Sequence, residues 1–168
     1  MIYIAYNRLG SPGMSVQANS VEDRLLKLQL RLAQLERQES CRENFLDFVG
    51  AMWPDFISGR HHRIIAEKLE RVARGELKRL IINMAPRHTK SEFASFLFPA
   101  WMMGKNPGMK IIQATHTTEL AVNFGRKTKN LIDSDDFKTV FPEVKLAADS
   151  KASGRWDTSR GGMYYAVG

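Results

Sequence analysis

The sequence predicts an α/β fold, with short apolar strands alternating with helices around a parallel sheet. Three observations carry this prediction. An apolar run at residues 78–83 ends in a short polar loop that leads straight into a helical segment. A second apolar run at residues 110–114 is followed by another helical pattern, residues 115–132. Strand, helix, strand, helix is the order that builds a parallel sheet with covered faces.

Composition bounds the possibilities. A chain of 168 residues can bury a core for one domain, and 43% hydrophobic with 26% charged residues suits a globular protein. No apolar run approaches the roughly 18 residues a membrane helix needs, so no membrane partner is expected. Residues 1–16 lack the basic start and apolar centre of a signal peptide. Cys41 is the one cysteine, which excludes an internal disulfide and a cysteine-based zinc site and points to the cytoplasm. The formal net charge of +7 favours a polyanionic partner, with plain solubility as the alternative.

In chain order, residues 1–20 carry Gly10-Ser11-Pro12-Gly13 and read as a flexible leader, with Met14 a possible natural start. Residues 21–52 read as an amphipathic helix. Leu25, Leu28, Leu32 and Leu35 recur at helical spacing, Leu26 and Leu30 widen the stripe, and Asn19 or Ser20 could cap it. Such a stripe is a coiled-coil seam, a partner-binding face or a helix lying on its own domain, and the last is expected. Phe45, Leu46, Phe48 and Val49 continue the apolar face until Trp53-Pro54 ends it.

Residues 58–75 predict a second helix, with Ile64, Ile65, Leu69 and Val72 on one face and Gly75 as its stop. His61 and His62 are adjacent, so on a helix they point about 100° apart and make a poor metal pair. A polar helix start, or contact with a nucleotide base, suits them better. Residues 78–83 are then expected as the first strand, buried on both faces.

The segment Met84-Ala85-Pro86-Arg87-His88-Thr89-Lys90-Ser91-Glu92 joins this strand to the next helix. Strand, loop and helix N-terminus form the architecture of a phosphate-binding (Walker A) loop. In the consensus a Lys reaches the terminal phosphates and the following Ser or Thr ligates Mg²⁺, roles that Lys90 and Ser91 fit. The consensus glycines fall on Met84 and Thr89, so the loop has no residue that takes positive φ freely. The plainer reading is a strand-to-helix turn, with Pro86 as stiffener and Lys90 as a solvated charge. On the first of these two readings, the fold expected is a P-loop NTPase-type parallel sheet with flanking helices over residues 53–168, preceded by an N-terminal helix.

Pro99 should kink or divide the helix of residues 91–103. After a polar segment at residues 133–141, the runs at residues 155–158 and 163–167 flank a Gly-rich turn and read as a hairpin. Lys151, Arg155 and Arg160, interleaved with Trp156 and Tyr164, could form a basic aromatic nucleic-acid surface. An ordinary edge hairpin with exposed charges is the reading preferred for so short a segment.

The loop, read together with Phe98-Pro99-Ala100-Trp101, Ile112-Gln113-Ala114-Thr115-His116, Glu119-Leu120-Ala121, Gly125-Arg126-Lys127, Gly154-Arg155-Trp156 and Gly161-Gly162-Met163-Tyr164-Tyr165-Ala166-Val167-Gly168, resembles the large terminase subunits of tailed double-stranded DNA bacteriophages. The resemblance runs from about Phe45 to Gly168. In that family the loop has the form Pro-Pro-Arg-His-Gly/Thr-Lys-Ser-Glu, and Ala85 departs from it at the first proline.

The resemblance implies an ATP-driven motor that packages DNA into a preformed capsid, with a nuclease elsewhere in the full protein. It implies ATP and Mg²⁺ as cofactors. Lys90 would contact the β- and γ-phosphates, Ser91 would ligate Mg²⁺, and the backbone of Arg87, His88 and Thr89 would cradle phosphate. Arg87 would sense or stabilise the γ-phosphate. Trp53, Phe56 and His62 resemble the segment that helps hold adenine, and His116 to Glu119 the block that couples the site to DNA. Double-stranded DNA, met by Arg155, Arg160 and Lys127, would be one partner. A small terminase subunit and a portal protein would be others, with the motor a ring of like subunits in the host cell cytoplasm.

Hydrolysis in this class also needs an apolar strand ending in Asp, followed by a carboxylate that activates water. No such strand follows Lys90, and no carboxylate cluster suits a two-metal nuclease. The sequence therefore reads as an N-terminal fragment, truncated before its acidic Mg-binding strand, that binds nucleotide weakly and does not hydrolyse it usefully alone. A helicase-like translocase fragment and a non-catalytic DNA-binding protein are the alternatives. A small-molecule kinase fits least, since no acceptor site or lid is recognisable.

Overall fold

The computed structural model describes residues 15–150 and 152–168, with side chains from Ser20 onward. The expected leader over residues 1–14, and Lys151 of the basic hairpin, lie outside the described residues. The chain divides after Arg37 into two compact units. No helix among the described residues is long and apolar enough to cross a membrane.

The first unit is the N-terminal part of helix α1 (Ser15–Glu43), which begins before residue 21. Its leucine stripe is exposed among the described residues. Leu25, Leu28, Leu32 and Leu35 are 46–67% exposed, where a packed face was expected.

In the second unit, the helix expected to run to residue 52 is broken at Asn44, and α2 (Phe45–Met52) starts afresh. Asn44 makes no side-chain cap. The first N–H of α2, on Phe45, donates instead to Glu70 Oε1 at 2.8 Å, so a helix end that needs an acceptor finds one in α3 (Arg60–Ala73). Gly75, at φ 76°, ends α3 in the left-handed conformation that glycine takes without steric cost.

Beyond the loop comes a π-helical turn, Glu92–Leu97, then α4 (Phe98–Lys105). Pro99 stands at that junction and lacks the N–H that would extend an α-helical ladder, so the expected division of this helix is present. Strand β1 (Lys110–Ala114), α5 (Thr118–Asp133), α6 (Asp135–Val140), β2 (Arg155–Asp157) and β3 (Met163–Val167) complete the chain.

The sheet is small, mixed and three-stranded, in the order β1-β3-β2. β1 and β3 run parallel with Ile111 opposite Tyr164, and β2 and β3 form the expected hairpin with Trp156 opposite Tyr164. Thus β1–α5–β3 has the strand–helix–strand order inferred from the sequence, but one strand later than expected. The run at residues 78–83 forms no strand and pairs with none in this sheet.

Among the described residues, one face of the sheet is covered. Trp156 and Tyr164 are buried and stacked, with ring centroids 5.0 Å apart and planes 3° apart. The indole N–H of Trp156 donates to the Gly125 carbonyl on α5 at 3.1 Å. A Cβ at Gly125 would lie 2.5 Å from the Ser153 carbonyl oxygen, so only glycine permits so close an approach. On the other face Ile112, paired with Tyr165, is 69% exposed, contrary to the two covered faces expected.

The helical core is aromatic. Phe45 packs edge-on against Phe93 and Phe98 and lies 5.4 Å from the Trp101 ring, while Phe48 meets Phe137 and Phe141. Such pairs add roughly 0.5–1.5 kcal/mol each beyond the area they bury. The Trp101 indole donates to the Cys41 carbonyl at 2.9 Å, so its buried polar atom is satisfied. This core fixes Phe93, and with it the start of the helical segment after the loop.

Candidate functional site

Residues 80–85 lead into the loop with period-two burial. Leu80, Ile82 and Met84 pack against the core, and Ile81 is 88% exposed. The segment therefore faces the core on one side only, where burial on both faces was expected. Pro86 opens the turn, and Arg87 (φ 65°) and Thr89 (φ 59°) both adopt the left-handed conformation.

For Thr89 this conformation is a departure from ordinary sterics, because a branched Cβ crowds the backbone there. Each such residue costs on the order of 1–3 kcal/mol and persists only where its surroundings hold it. Thr89 stands where the Walker A consensus has glycine, so the backbone has the glycine-type curl without the glycine.

Several contacts hold the loop. Gly59 N–H donates to His62 Nδ1 at 2.9 Å, which leaves the proton on Nε2. That Nε2–H donates to the Thr89 hydroxyl at 2.7 Å, and the hydroxyl donates to the His88 carbonyl at 2.7 Å. The Thr89 carbonyl accepts from Phe93 N–H at 3.0 Å, joining the loop to the helix. His88 Nδ1 lies 2.9 Å from the Pro86 carbonyl, and Lys90 Nζ donates to the Met84 carbonyl at 2.9 Å.

His62 is buried, and its imidazole lies 5.1 Å from the Phe93 ring at 22°. Burial first, then the neighbouring His61 and His88, push its pKa below the ordinary 6.5. The neutral tautomer required by the hydrogen bonds is thus the form the surroundings favour. Phe56 packs on both His62 and Phe93, and Trp53 packs on Phe56. The structure therefore brings Trp53, Phe56 and His62 together, and His62 reaches the loop itself.

Among the described residues the N–H groups of Arg87 and Thr89 meet no backbone acceptor outside helices, and those of Lys90 and Ser91 stand in the first helical turn, where intrahelical acceptors are lacking. Residues 86–92 line an open depression of about 460 Å³. A left-handed residue followed by a helical one forms a concave nest of N–H donors, and Arg87 and Lys90 add positive charge. Oxyanions with several acceptor oxygens, such as phosphates, match that donor set. Ser91 is exposed, so its hydroxyl is open to solvent. Mg²⁺ would take that hydroxyl together with phosphate oxygens and water, its usual mixture of ligands. No group of three or more His, Cys, Asp or Glu able to hold a metal occurs among the described residues.

Of the residues expected to meet DNA, Lys127 and Arg160 have separate acidic neighbours. Lys127 pairs with Glu92 at 3.0 Å and lies over the Phe96 ring, which ties α5 to the turn just after Ser91. Arg160 pairs with Glu143 at 2.6 Å, and Arg155 is exposed on β2. The aromatic part of the proposed surface is corrected: Trp156 and Tyr164 are buried against each other and cannot stack on bases. The sequence places Phe93 in the core, where it is buried, but does not signal its contact with His62, and it gives Gly59 no role beyond a glycine three residues before a histidine.

No protein-family model, curated protein or solved structure matches the chain.

Proposed function

We propose that this chain is the N-terminal ATP-binding part of a viral DNA-packaging ATPase, the large terminase subunit. The observation that supports this most is Thr89, held at φ 59° directly before Lys90, where the loop enters the first turn of a helix. A solvated turn has no use for a conformation this costly, whereas an anion-binding loop needs it.

In this reading the N–H groups of residues 87–91 bind the β- and γ-phosphates of ATP. Lys90 leaves the Met84 carbonyl to contact them, Arg87 faces the γ-phosphate, and His88 and Thr89 complete the cradle. Ser91 ligates Mg²⁺, and Trp53, Phe56 and His62 flank the adenine. When bound, Mg²⁺ neutralises phosphate charge. Glu92 is paired with Lys127, so the loop itself offers no free carboxylate to activate water, and the reading concerns nucleotide binding. Arg155, Arg160 and Lys127 would contribute phosphate contacts to double-stranded DNA. Portal protein, small terminase subunit and further motor subunits are the partners of the full motor in the host cell cytoplasm.

Calorimetric titration with ATP, ADP and adenosine tests this. Binding that weakens at least about tenfold when the phosphates are removed supports it, since tenfold corresponds to about 1.4 kcal/mol of phosphate recognition. Adenosine binding as tightly as ATP would contradict it.

A further inference from the structure

From the uncovered seam of α1 we infer that this helix associates with the same helix of a second copy of the chain, in parallel. Val21, Leu25, Leu28, Leu32 and Leu35 recur at alternating spacings of four and three, the a/d pattern of a coiled coil. With Leu25 at position a, the a sites are Leu25 and Leu32, and the d sites are Val21, Leu28 and Leu35. All five are 46–67% exposed, so the described structure offers the seam no cover.

Charge selects the occupant and its direction. Arg24 and Arg31 fall at g, and Glu22 and Glu36 fall at e. In a parallel pair each g residue meets the e residue five positions later in the partner, so Arg31 of each copy faces Glu36 of the other. In an antiparallel pair g faces g and e faces e, which sets Arg24 and Arg31 along one flank and Glu22 and Glu36 along the other. Like charges so placed disfavour that arrangement. The pattern is self-complementary in one direction, which argues for a second copy rather than an unrelated apolar partner.

The seam is short. Glu39 and Arg42 occupy the next a and d positions and end it. The association is therefore expected to be weak and dependent on concentration. It is independent of nucleotide binding and of the loop reading.

Sedimentation equilibrium of the whole chain over roughly 1–200 µM tests the proposal in the range where weak pairs dissociate. The apparent mass should rise with concentration. Arg31→Glu should weaken association at least about tenfold, and Arg31→Glu with Glu36→Arg should restore it. Both variants alter exposed positions, and unchanged helical circular dichroism shows that α1 has formed. Val21→Cys should give a disulfide-linked dimer under mild oxidation, because only the parallel pairing sets residue 21 beside its counterpart. A monomer at every concentration overturns the proposal. So does association indifferent to Arg31→Glu, or a Val21→Cys variant that associates without cross-linking.

Discussion

His62 Nε2 lies 2.7 Å from the hydroxyl of Thr89, tying the first turn of α3 to a left-handed residue 27 positions later. A side-chain hydrogen bond thus supports a backbone conformation for which phosphate loops ordinarily use glycine. The same imidazole accepts from Gly59 N–H, so one ring fixes both the start of a helix and the curl of the loop.

Substitutions at Thr89 separate strain from support. Thr89→Val keeps the branched side chain and leaves the buried His62 N–H without its acceptor, at a cost of about 1–3 kcal/mol. Thr89→Gly loses the same bond but relieves the left-handed strain, so it should be the less damaging by about 1 kcal/mol. Urea unfolding of the two variants measures this. A glycine variant less stable than the valine variant would contradict the strained loop.

Stability should depend on pH through His62. Its folded-state pKa is held below 6.5 by burial and by His61 and His88. In the interval between that lowered value and 6.5 the unfolded chain binds a proton that the folded ring does not. The unfolding free energy therefore falls as pH drops through this interval, and this ring contributes no slope above or below it. Urea denaturation near pH 7.5 and near pH 5.5 should show a larger loss for the native sequence than for His62→Gln, which cannot titrate there. Equal losses would show that His62 does not sit neutral in the fold.

The contact between α5 and the hairpin gives a sharper test. A Cβ at Gly125 meets the Ser153 carbonyl at 2.5 Å and the Tyr164 ring at 3.2 Å. Gly125→Ala favours the helix locally by roughly 1 kcal/mol. Overpacking against backbone costs typically 1–3 kcal/mol and should win. A midpoint of urea unfolding equal to or above that of the native sequence would mean that the hairpin does not sit on α5 as described.

The elements legible in the sequence are those whose signals are local. Glycines between two β-type runs announced the hairpin, and Gly75 announced the end of α3, because each needs only its neighbours. Residues 78–83 misled because a short apolar run reports burial and says nothing of a hydrogen-bonded neighbour. The break at Asn44 was hidden by apolar spacing that runs on across it, while the acceptor that restarts the helix, Glu70, comes from α3. The leucines of α1 carry the same periodicity whether they are covered or exposed.

The candidate site was legible in part. Lys90 and Ser91 stand out because the chemistry of phosphate binding calls for those residues after such a run. The left-handed turns at Arg87 and Thr89 were not legible, since neither residue favours positive φ and the support for Thr89 comes from His62. Trp156 and Tyr164 suggested a stacking surface by composition, but alternation along β2 and β3 turns both toward α5 and into the core.

The most direct measurement is calorimetric titration of ATP with Mg²⁺ into the chain and into its Lys90→Ala variant. Among the described residues the Lys90 ammonium donates one hydrogen bond, to the Met84 carbonyl, so its loss should cost about 1 kcal/mol of stability or less. The native sequence should bind ATP, and the variant should bind at least about tenfold more weakly with its fold retained. No binding by the native sequence, or equal binding by both, would contradict the reading of this loop as a nucleotide site.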